Sequence, residues 1–220
     1  MTAARLLVVA TGNRHKLREL AAMVESSLGL QVQPASAFGS PPEIEESGTS
    51  FVANAVLKAE GLAAWLRTRD CPGDACVLAD DSGLSIDALG GAPGVTSARW
   101  AGEPCDDAAN NRKLVDELRA RGLDHSPAHY SCVLAVVRVD GRRLGSGETL
   151  ECFEGRWDVT VRVTARGHGG FGYDPHAWIE RPGHEPCPVA ELDPAAKAAL
   201  SHRGIAMRRL VAWWQASGPR

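Results

Sequence analysis

A short apolar run that ends in two adjacent acids constrains this chain more than any other feature. Residues 76–79 read Cys-Val-Leu-Ala, and Asp80 and Asp81 follow directly. Four consecutive apolar residues are typical of a strand that is buried on both faces. Burying a carboxylate is costly unless a cation, a hydrogen-bond donor or a metal ion compensates it. The sequence therefore predicts a buried strand that ends at these acids, a Ser-Gly turn after it, and a compensating partner for each carboxylate.

Composition and charge exclude several classes of protein. The net charge of the 220-residue chain is −3, with no long run of one sign, which argues against nucleic-acid binding driven by bulk charge. None of the six cysteines forms a C-x-x-C pair or a cluster with zinc spacing. No segment approaches the roughly 20 apolar residues of a membrane span. We expect a cytoplasmic protein that forms one domain over residues 1–220 and binds neither nucleic acid nor membrane.

Apolar periodicity predicts both helices and strands. Residues 6–10 predict a strand. Helical spacing predicts a first helix whose apolar face runs from Leu17 to Leu28, and further helices from about 50 to 66, at 106–122 and from Pro194 onward. The stretch 129–155 alternates and contains Asp-Gly, a strong hairpin signal, and residues 158–163 predict a further strand. This mixture indicates an α/β fold with a mixed β-sheet and flanking helices.

The first candidate site follows the first predicted strand. In "ATGNRHK", Thr11, Gly12 and Asn13 form a turn, and Lys16 lies in the first turn of the helix. Free N–H groups and the dipole at a helix start favour an anion, so this turn suits a phosphate. It is not a Walker A loop, which requires a different spacing. The alternative is an ordinary N-capped helix with a solvated lysine.

Acidic residues supply a second candidate site. Glu43, Glu45 and Glu46 precede a helix on which Asn54 and Lys58 share one face. Taken alone, this stretch is better explained by a solvated acidic loop and a polar helix face. If the two aspartates at 80 and 81 retain strand geometry, they point to opposite sides of the sheet. Oxygen ligands at such a position suit Mg²⁺, which takes one or two carboxylates and keeps several waters. The alternative is an Asx-turn at the end of a strand.

The stretch "GHGGFGYDP" contains a literal G-x-G-x-x-G, but Tyr173, Asp174 and Pro175 follow where a dinucleotide-binding motif would open a helix. A glycine-rich loop that displays Phe171 and Tyr173 suggests instead a flat aromatic surface for a planar ligand. The alternative is a connecting loop with the Phe in the core.

The predicted C-terminal helix carries a basic group. Lys197, His202 and Arg203 lie close together in sequence, and Ser201 could interrupt the helix between them. Most such groups are a basic solvent-exposed face. Taken with the acids, the phosphate turn and the aromatic loop, however, they complete the requirements for binding a nucleoside triphosphate.

Five stretches in order resemble the inosine triphosphate pyrophosphatase family, which hydrolyses non-canonical purine nucleotides. They are "TGNRHK", "EESGTSFVANAVLKA", "ADDSGLSIDALGGAPGVTSARWAG", "GGFGYDP" and "AELDPAAKAALSHRG", and they span Thr11 to Gly204. The resemblance implies two lobes around a central nucleotide-binding cleft, a homodimer, and hydrolysis with Mg²⁺ of ITP, dITP and XTP to the monophosphate and pyrophosphate.

The resemblance also implies roles for individual residues. Asp81 is the main metal ligand and the proton acceptor for the attacking water, Glu45 is the second metal ligand, and Asp80 adds to the negative field. The residues implied for substrate binding are Thr11, Gly12, Asn13, Arg14, His15, Lys16, Lys58, Ser82, Phe171, Gly172, Tyr173, Asp174, Lys197, His202 and Arg203. A nucleotide sensor without catalysis and a phosphatase that releases only orthophosphate are the rival functions, and the product of the reaction distinguishes all three.

Overall fold

The computed structural model describes residues 6–181 and 183–219, without the side chain of Arg14. The chain forms two compact units. The first unit comprises the chain up to Asp81, Cys132–Gly155 and the chain from Ile205 onward, and the second comprises Ser82–Ser131 and Arg156–Gly204. Several unit boundaries therefore fall inside a strand or a helix, and not between two elements.

The secondary structure confirms the predicted α/β class. The strands are β1 (Leu6–Ala10), β2 (Gln31–Pro34), β3 (Cys76–Ile86), β4 (His125–Arg138), β5 (Leu150–Arg162), β6 (Ala177–Arg181) and β7 (His184–Pro188). The helices are α1 (Arg14–Leu28), α2 (Phe51–Leu66), α3 (Asp107–Ala120), α4 (Pro194–Leu200) and α5 (His202–Ser217). The strands form one sheet in the order β2-β1-β3-β4-β5-β6-β7. Strand β1 runs parallel to β2 and β3, whereas β6 runs antiparallel to β5 and β7, so the sheet is mixed.

In the first unit, alternation along β1 and β3 separates two apolar cores. One core joins α1 and α5 to the side chains of Leu7, Val9, Cys76 and Leu78. The other core joins α2 to the side chains of Val8, Val77 and Ala79. Successive residues of a strand point to opposite faces, so residues 80 and 81 must face α1 and α2 respectively. This register decides where each aspartate of the candidate site lies.

The second unit has its own core. It is formed by β3, α3, β4, β5 and β6, and its buried side chains include Leu84, Ile86, Leu114, Leu118, Tyr130, Val159, Val161, Tyr173, Ala177 and Ile179. The loop that carries Phe171 therefore follows directly from strands of this core.

Two strand predictions were wrong. Strand β3 does not end at Asp80, and no Ser-Gly turn follows, since the strand continues to Ile86. The reason is that Leu84 and Ile86 are both fully buried in the core of the second unit and extend the alternation. Residues 158–163 do not form a separate strand either, because β5 runs without interruption from Leu150 to Arg162.

The helices predicted from about residue 50 and from Pro194 begin where expected, each after a capping side chain. Ser50 caps α2 and Asp193 caps α4, each by accepting a hydrogen bond from a backbone N–H. Ser201 has an extended backbone and ends α4, and its hydroxyl then accepts a hydrogen bond from Gly204 N in the first turn of α5. Ser201 thus divides the predicted C-terminal helix into two, and α5 begins at His202.

Candidate active site

Two lysines contact the consecutive aspartates of β3 from opposite faces of the sheet. Nζ of Lys16, on α1, lies 2.7 Å from Oδ1 of Asp80. Nζ of Lys58, on α2, lies 2.7 Å from Oδ1 of Asp81. We call Lys16, Glu46, Lys58, Asp80 and Asp81 the acidic cluster. Each buried carboxylate has a cation beside it, and this cation compensates the unfavourable free energy of burying the charge.

Asp80 is the more deeply placed of the two acids. Its side chain is 0% exposed, whereas that of Asp81 is 7% exposed. The thiol of Cys132, on β4, donates a hydrogen bond to Oδ2 of Asp80 at 3.3 Å. Both carboxylate oxygens therefore have partners, which fits Asp80 as a fixed anion that orients Lys16.

Asp81 is buried but retains one uncommitted oxygen. Its Oδ2 is inaccessible to solvent and has no hydrogen-bond partner among the described residues. Burial raises the pKa of Asp81, and Lys58 offsets only part of that effect. An unpartnered buried carboxylate oxygen is unfavourable in isolation, so its position indicates a ligand that the oxygen would contact.

Lys58 also contacts a second carboxylate. Its Nζ lies 3.3 Å from Oε1 of Glu46. Burial alone lowers the pKa of Lys58, but the charge and hydrogen bond of Asp81, with smaller contributions from Glu46 and Asp80, outweigh burial and raise that pKa. Lys58 therefore stays protonated and links the two acids.

The acid beside Lys58 is Glu46, whereas Glu45, the residue implied as second metal ligand, is exposed. The preceding loop is fixed to α2 through Asn54, whose Oδ1 accepts a hydrogen bond from Gly48 N at 2.8 Å. A side chain on Gly48 would overlap Asn54, so glycine is needed for this close approach. The role of Glu45 in metal binding stays a prediction.

The donor set of the acidic cluster fits a hard divalent cation. Three carboxylates face two ammonium groups, so the cluster carries one net negative charge. Within the described residues, no group of three or more His, Cys, Asp or Glu is arranged to enclose a metal ion. Carboxylate oxygens are hard ligands, and a cation such as Mg²⁺ takes only one or two of them and keeps several waters.

The turn between β1 and α1 is an exposed helix cap. Thr11 Oγ1 accepts a hydrogen bond from Asn13 N, and Asn13 Oδ1 accepts from the backbone N–H groups of His15 and Lys16. A Cβ on Gly12 would meet no atom within 4 Å, so the space beside this backbone is open. The His15 ring lies 3.2 Å from the Arg18 guanidinium, and the side chain of Arg14 lies outside the described residues.

In the second unit, Asp174 organises the glycine-rich loop. Its Oδ2 accepts hydrogen bonds from Phe171 N at 3.0 Å and from Lys197 Nζ at 2.8 Å, and its Oδ1 accepts from Tyr130 Oη at 3.4 Å. Gly170 has φ +73°, and a Cβ there would overlap the Asp174 carboxylate. The buried carboxylate thus fixes both the loop and Lys197.

Two cations lie against the ring of Phe171. Lys197 Nζ is 4.4 Å and Arg203 Cζ is 5.9 Å from the ring centroid. Arg203 is almost fully buried, and its Nη2 donates a hydrogen bond to Ser82 Oγ at 3.0 Å. The half-buried Phe171 therefore combines a flat apolar surface with positive charge at its side, which suits a planar ligand that carries acceptor atoms.

Two further residues predicted to bind the base, Gly172 and Tyr173, are held by contacts within the second unit. Tyr173 is buried in the core, and its hydroxyl donates to Ser97 O at 2.8 Å. Gly172 is fixed to α3, because its N–H donates to Asp107 at 2.7 Å and its carbonyl accepts from Asn111 at 3.0 Å. Tyr173 thus supports the loop from the core, and substrate contact by Gly172 and Tyr173 stays a prediction.

His202 is stacked on Tyr130. The ring centroids are 4.9 Å apart and the ring planes differ by 11°. We call Tyr130, Phe171, Asp174, Lys197, His202 and Arg203 the aromatic cluster. Sequence reasoning missed Tyr130 in this cluster and Cys132 in the acidic cluster, and it named Glu46 only as one of three acids before α2. Tyr130 and Cys132 both lie at buried positions of the alternating β4 segment, and this alternation indicates burial but not the partner of either side chain.

Carboxylates paired with lysines in the first unit, and an aromatic ring flanked by cations in the second, are groups typical of enzymes that act on nucleotides. The sequence profile of the Ham1 family matches residues 7–213, and this chain belongs to the Ham1 family. Within the described residues, no helix is both long enough and apolar enough to cross a bilayer.

Relatives in sequence and structure support this placement. The chain is 42% identical to the dITP/XTP pyrophosphatase of Desulforamulus reducens over 205 residues, which is 93% of each chain. It is also similar to the HAM1 protein of Coxiella burnetii, at a TM-score of 0.79 with 35% identity, over 96% of this chain and 98% of that one. It is similar as well to the crystal structure of a protein from Mycobacterium abscessus that is named nucleoside-triphosphatase / dITP/XTP pyrophosphatase. The TM-score is 0.66 and the identity 36%, over 93% of this chain and 98% of that one.

Proposed function

We propose that this chain hydrolyses the non-canonical purine nucleoside triphosphates ITP, dITP and XTP to the nucleoside monophosphate and pyrophosphate, with Mg²⁺ as cofactor. Membership of the Ham1 family and the relatives named dITP/XTP pyrophosphatase support the reaction. The structural observation that carries it is the buried, unpartnered Oδ2 of Asp81 beside the Lys58 ion pair. The reaction would remove non-canonical nucleotides from the nucleotide pool.

The charge of the acidic cluster supports a requirement for a divalent cation. Lys16 and Lys58 are each engaged by a carboxylate, and the cluster has one net negative charge. A nucleoside triphosphate is strongly anionic, so this cluster by itself repels it. Asp81, with Glu45 or Glu46, would hold the Mg²⁺. The chemistry that a bound Mg²⁺ supplies is neutralisation of charge on the triphosphate oxygens.

Side chains of the first unit are proposed to accept a proton from water and to bind the phosphates. Asp81 is proposed as the acceptor of the proton from the attacking water, since its Oδ2 has no other hydrogen-bond partner. Lys16 and Lys58 would hold phosphate oxygens, as would the open turn from Thr11 to His15. Arg14 is assigned to this turn by resemblance alone.

The aromatic cluster is proposed to bind the base. Phe171 would supply the stacking surface, and His202 and Arg203 would donate hydrogen bonds to the 6-oxo group of hypoxanthine or xanthine. Support comes from the cations that flank the Phe171 ring and from the burial of Arg203. Within the second unit, Ser82 Oγ accepts a hydrogen bond from Arg203, which fixes the guanidinium.

The decisive experiment is a substrate panel with product identification. We expect ITP, dITP and XTP with Mg²⁺ to yield pyrophosphate, and adenosine triphosphate to be a far poorer substrate. Adenine carries an amino donor at position 6, which leaves buried donors unpaired, and such sites discriminate by roughly 10⁴. Orthophosphate as the only product would indicate a phosphatase instead. Tight binding without any product would indicate a nucleotide sensor.

Three further expectations remain predictions. The resemblance implies a homodimer, which sedimentation equilibrium of the purified chain would test. Composition and charge predict action in the cytoplasm and the absence of nucleic-acid or membrane partners. Fractionation of cells that express the tagged chain would test the location.

A further inference from the structure

Tyr130 joins two parts of the aromatic cluster that are distant in sequence. Its ring stacks on His202, with centroids 4.9 Å apart and an angle of 11° between the planes. Its hydroxyl donates to Asp174 Oδ1 at 3.4 Å, and Asp174 in turn holds Lys197 and the backbone of Phe171. Both Tyr130 and His202 are buried, with 6% and 7% of their surfaces exposed.

The stack matters because an imidazole directs its hydrogen bonds within its own plane. His202 is the first residue of α5, where the backbone fixes only the start of the side chain, so the ring orientation depends on its neighbours. A near-parallel aromatic neighbour restricts rotation, since turning the ring would break the stack. Tyr130 therefore determines the plane in which the His202 nitrogens can meet a ligand.

We propose that Tyr130 is a positioning residue for substrate specificity, which holds the His202 ring in the plane that contacts the 6-position of the purine. This inference rests on the proposed function, because it assumes that His202 contacts the base. The ring of Tyr130, and not its hydroxyl, maintains discrimination between a 6-oxo and a 6-amino purine. Tyr130 itself need not touch the substrate.

Two variants separate the ring from the hydroxyl. Tyr130→Leu removes the stack and keeps an apolar side chain in the core, whereas Tyr130→Phe keeps the stack and removes the hydrogen bond to Asp174. The measured quantity is the ratio of kcat/KM for ITP to kcat/KM for adenosine triphosphate. We expect Tyr130→Leu to lower this ratio about tenfold, mainly through a higher KM for ITP, and Tyr130→Phe to change it by less than about twofold.

Leu118→Ala is the matched control, because Leu118 is fully buried in the same core and belongs to neither cluster. It should lower stability but leave the ratio unchanged. A second measurement does not require the Leu variant to fold: the carbon-bound ring protons of His202 should show a ring-current shift in the NMR spectrum of the wild-type protein, and the shift should persist in Tyr130→Phe.

The outcomes are distinct. An unchanged ratio in a folded Tyr130→Leu protein, an equal loss in Tyr130→Phe, or a wild-type protein without the ring-current shift would each overturn the inference. If the wild-type protein itself does not prefer ITP to adenosine triphosphate, the proposed function fails first. A wild-type preference that survives removal of the ring leaves the proposed function intact and removes only the role of Tyr130.

Discussion

The thiol of Cys132 lies 3.3 Å from Oδ2 of Asp80, while Lys16 contacts Oδ1 of the same carboxylate. Cys132→Ala removes the donor, and we expect kcat/KM for ITP to fall about fivefold because Asp80 no longer holds Lys16 in one position. Cys132→Ser restores an O–H donor of similar size and should recover most of the activity. Steady-state assays of pyrophosphate release measure both effects.

Cys76→Ala is the control for loss of packing. Cys76 is buried in the same apolar core as Cys132 and lies on β3. Both Ala variants should lose about 1–2 kcal/mol of unfolding free energy, as expected for removal of a small buried side chain. Equal losses of activity in the two variants would show that packing, and not the hydrogen bond, accounts for the effect of Cys132→Ala.

Substitution of Asp81 should mainly lower turnover, whereas substitution of Asp80 should mainly lower the free energy of unfolding. Asp81→Asn removes the carboxylate with the uncommitted oxygen, and we expect turnover to fall by 10²-fold or more with a folded protein. Asp80→Asn leaves Lys16 beside a neutral amide at a fully buried position, and we expect the larger loss of stability, about 3 kcal/mol. Urea denaturation and pyrophosphate release measure the two quantities. The reverse ranking in activity would reassign the key carboxylate to Asp80.

Removal of divalent cations should weaken binding itself, and not only turnover. Both lysines of the acidic cluster are paired with carboxylates, so a triphosphate meets a net negative charge when no metal ion is present. We expect chelation to weaken the affinity for the α,β-methylene analogue of ITP by more than about tenfold. Calorimetric titration of this non-hydrolysable analogue, with and without a chelator, measures the change.

Inosine provides the control for that titration, because it has the same base and no phosphates. Its affinity should not depend on the cation. Equal affinity of the analogue with and without Mg²⁺ would contradict the role assigned to the acidic cluster. A cation effect on inosine would instead place the metal ion near the base.

The sequence predicted those parts of the site that depend on local chemistry. Asn13 and Ser50 cap helices as short polar side chains do before an apolar helix. Alternation along β3 correctly separated Asp80 from Asp81, because opposite faces follow from strand geometry alone. The interruption at Ser201 could likewise be predicted, because serine is favoured at the start of a helix, where its hydroxyl caps a backbone N–H, and disfavoured inside a helix.

The remainder depends on contacts between distant segments. Cys132 lies 52 residues from Asp80, and no local pattern indicates which buried strand residue meets a carboxylate. The same holds for Tyr130, which contacts His202 from another element. Strand β3 was predicted too short because Ser82 and Gly83 look like a turn, whereas the buried Leu84 keeps the strand extended through tertiary packing.

Asp174 should prove essential for stability as well as for substrate binding. Its carboxylate and the Lys197 ammonium are 7% and 12% exposed and lie 2.8 Å apart. Asp174→Asn leaves this cation without its buried partner, and we expect the free energy of unfolding to fall by about 3 kcal/mol. Lys197→Met in the Asp174→Asn background should restore part of that loss, since no buried charge then remains unpaired.

The pair of Arg156 and Asp158 provides the matched comparison, because its atoms are also 2.8 Å apart but its side chains are 61% and 76% exposed. Solvent screens such a pair, so Asp158→Asn should leave the protein close to wild-type stability. Urea denaturation of the three variants and the wild type gives the free energies directly. If Asp174→Asn were as stable as Asp158→Asn, the Asp174 carboxylate would not be what holds Lys197 and the glycine-rich loop in place, and its contribution would have to come from contact with substrate alone.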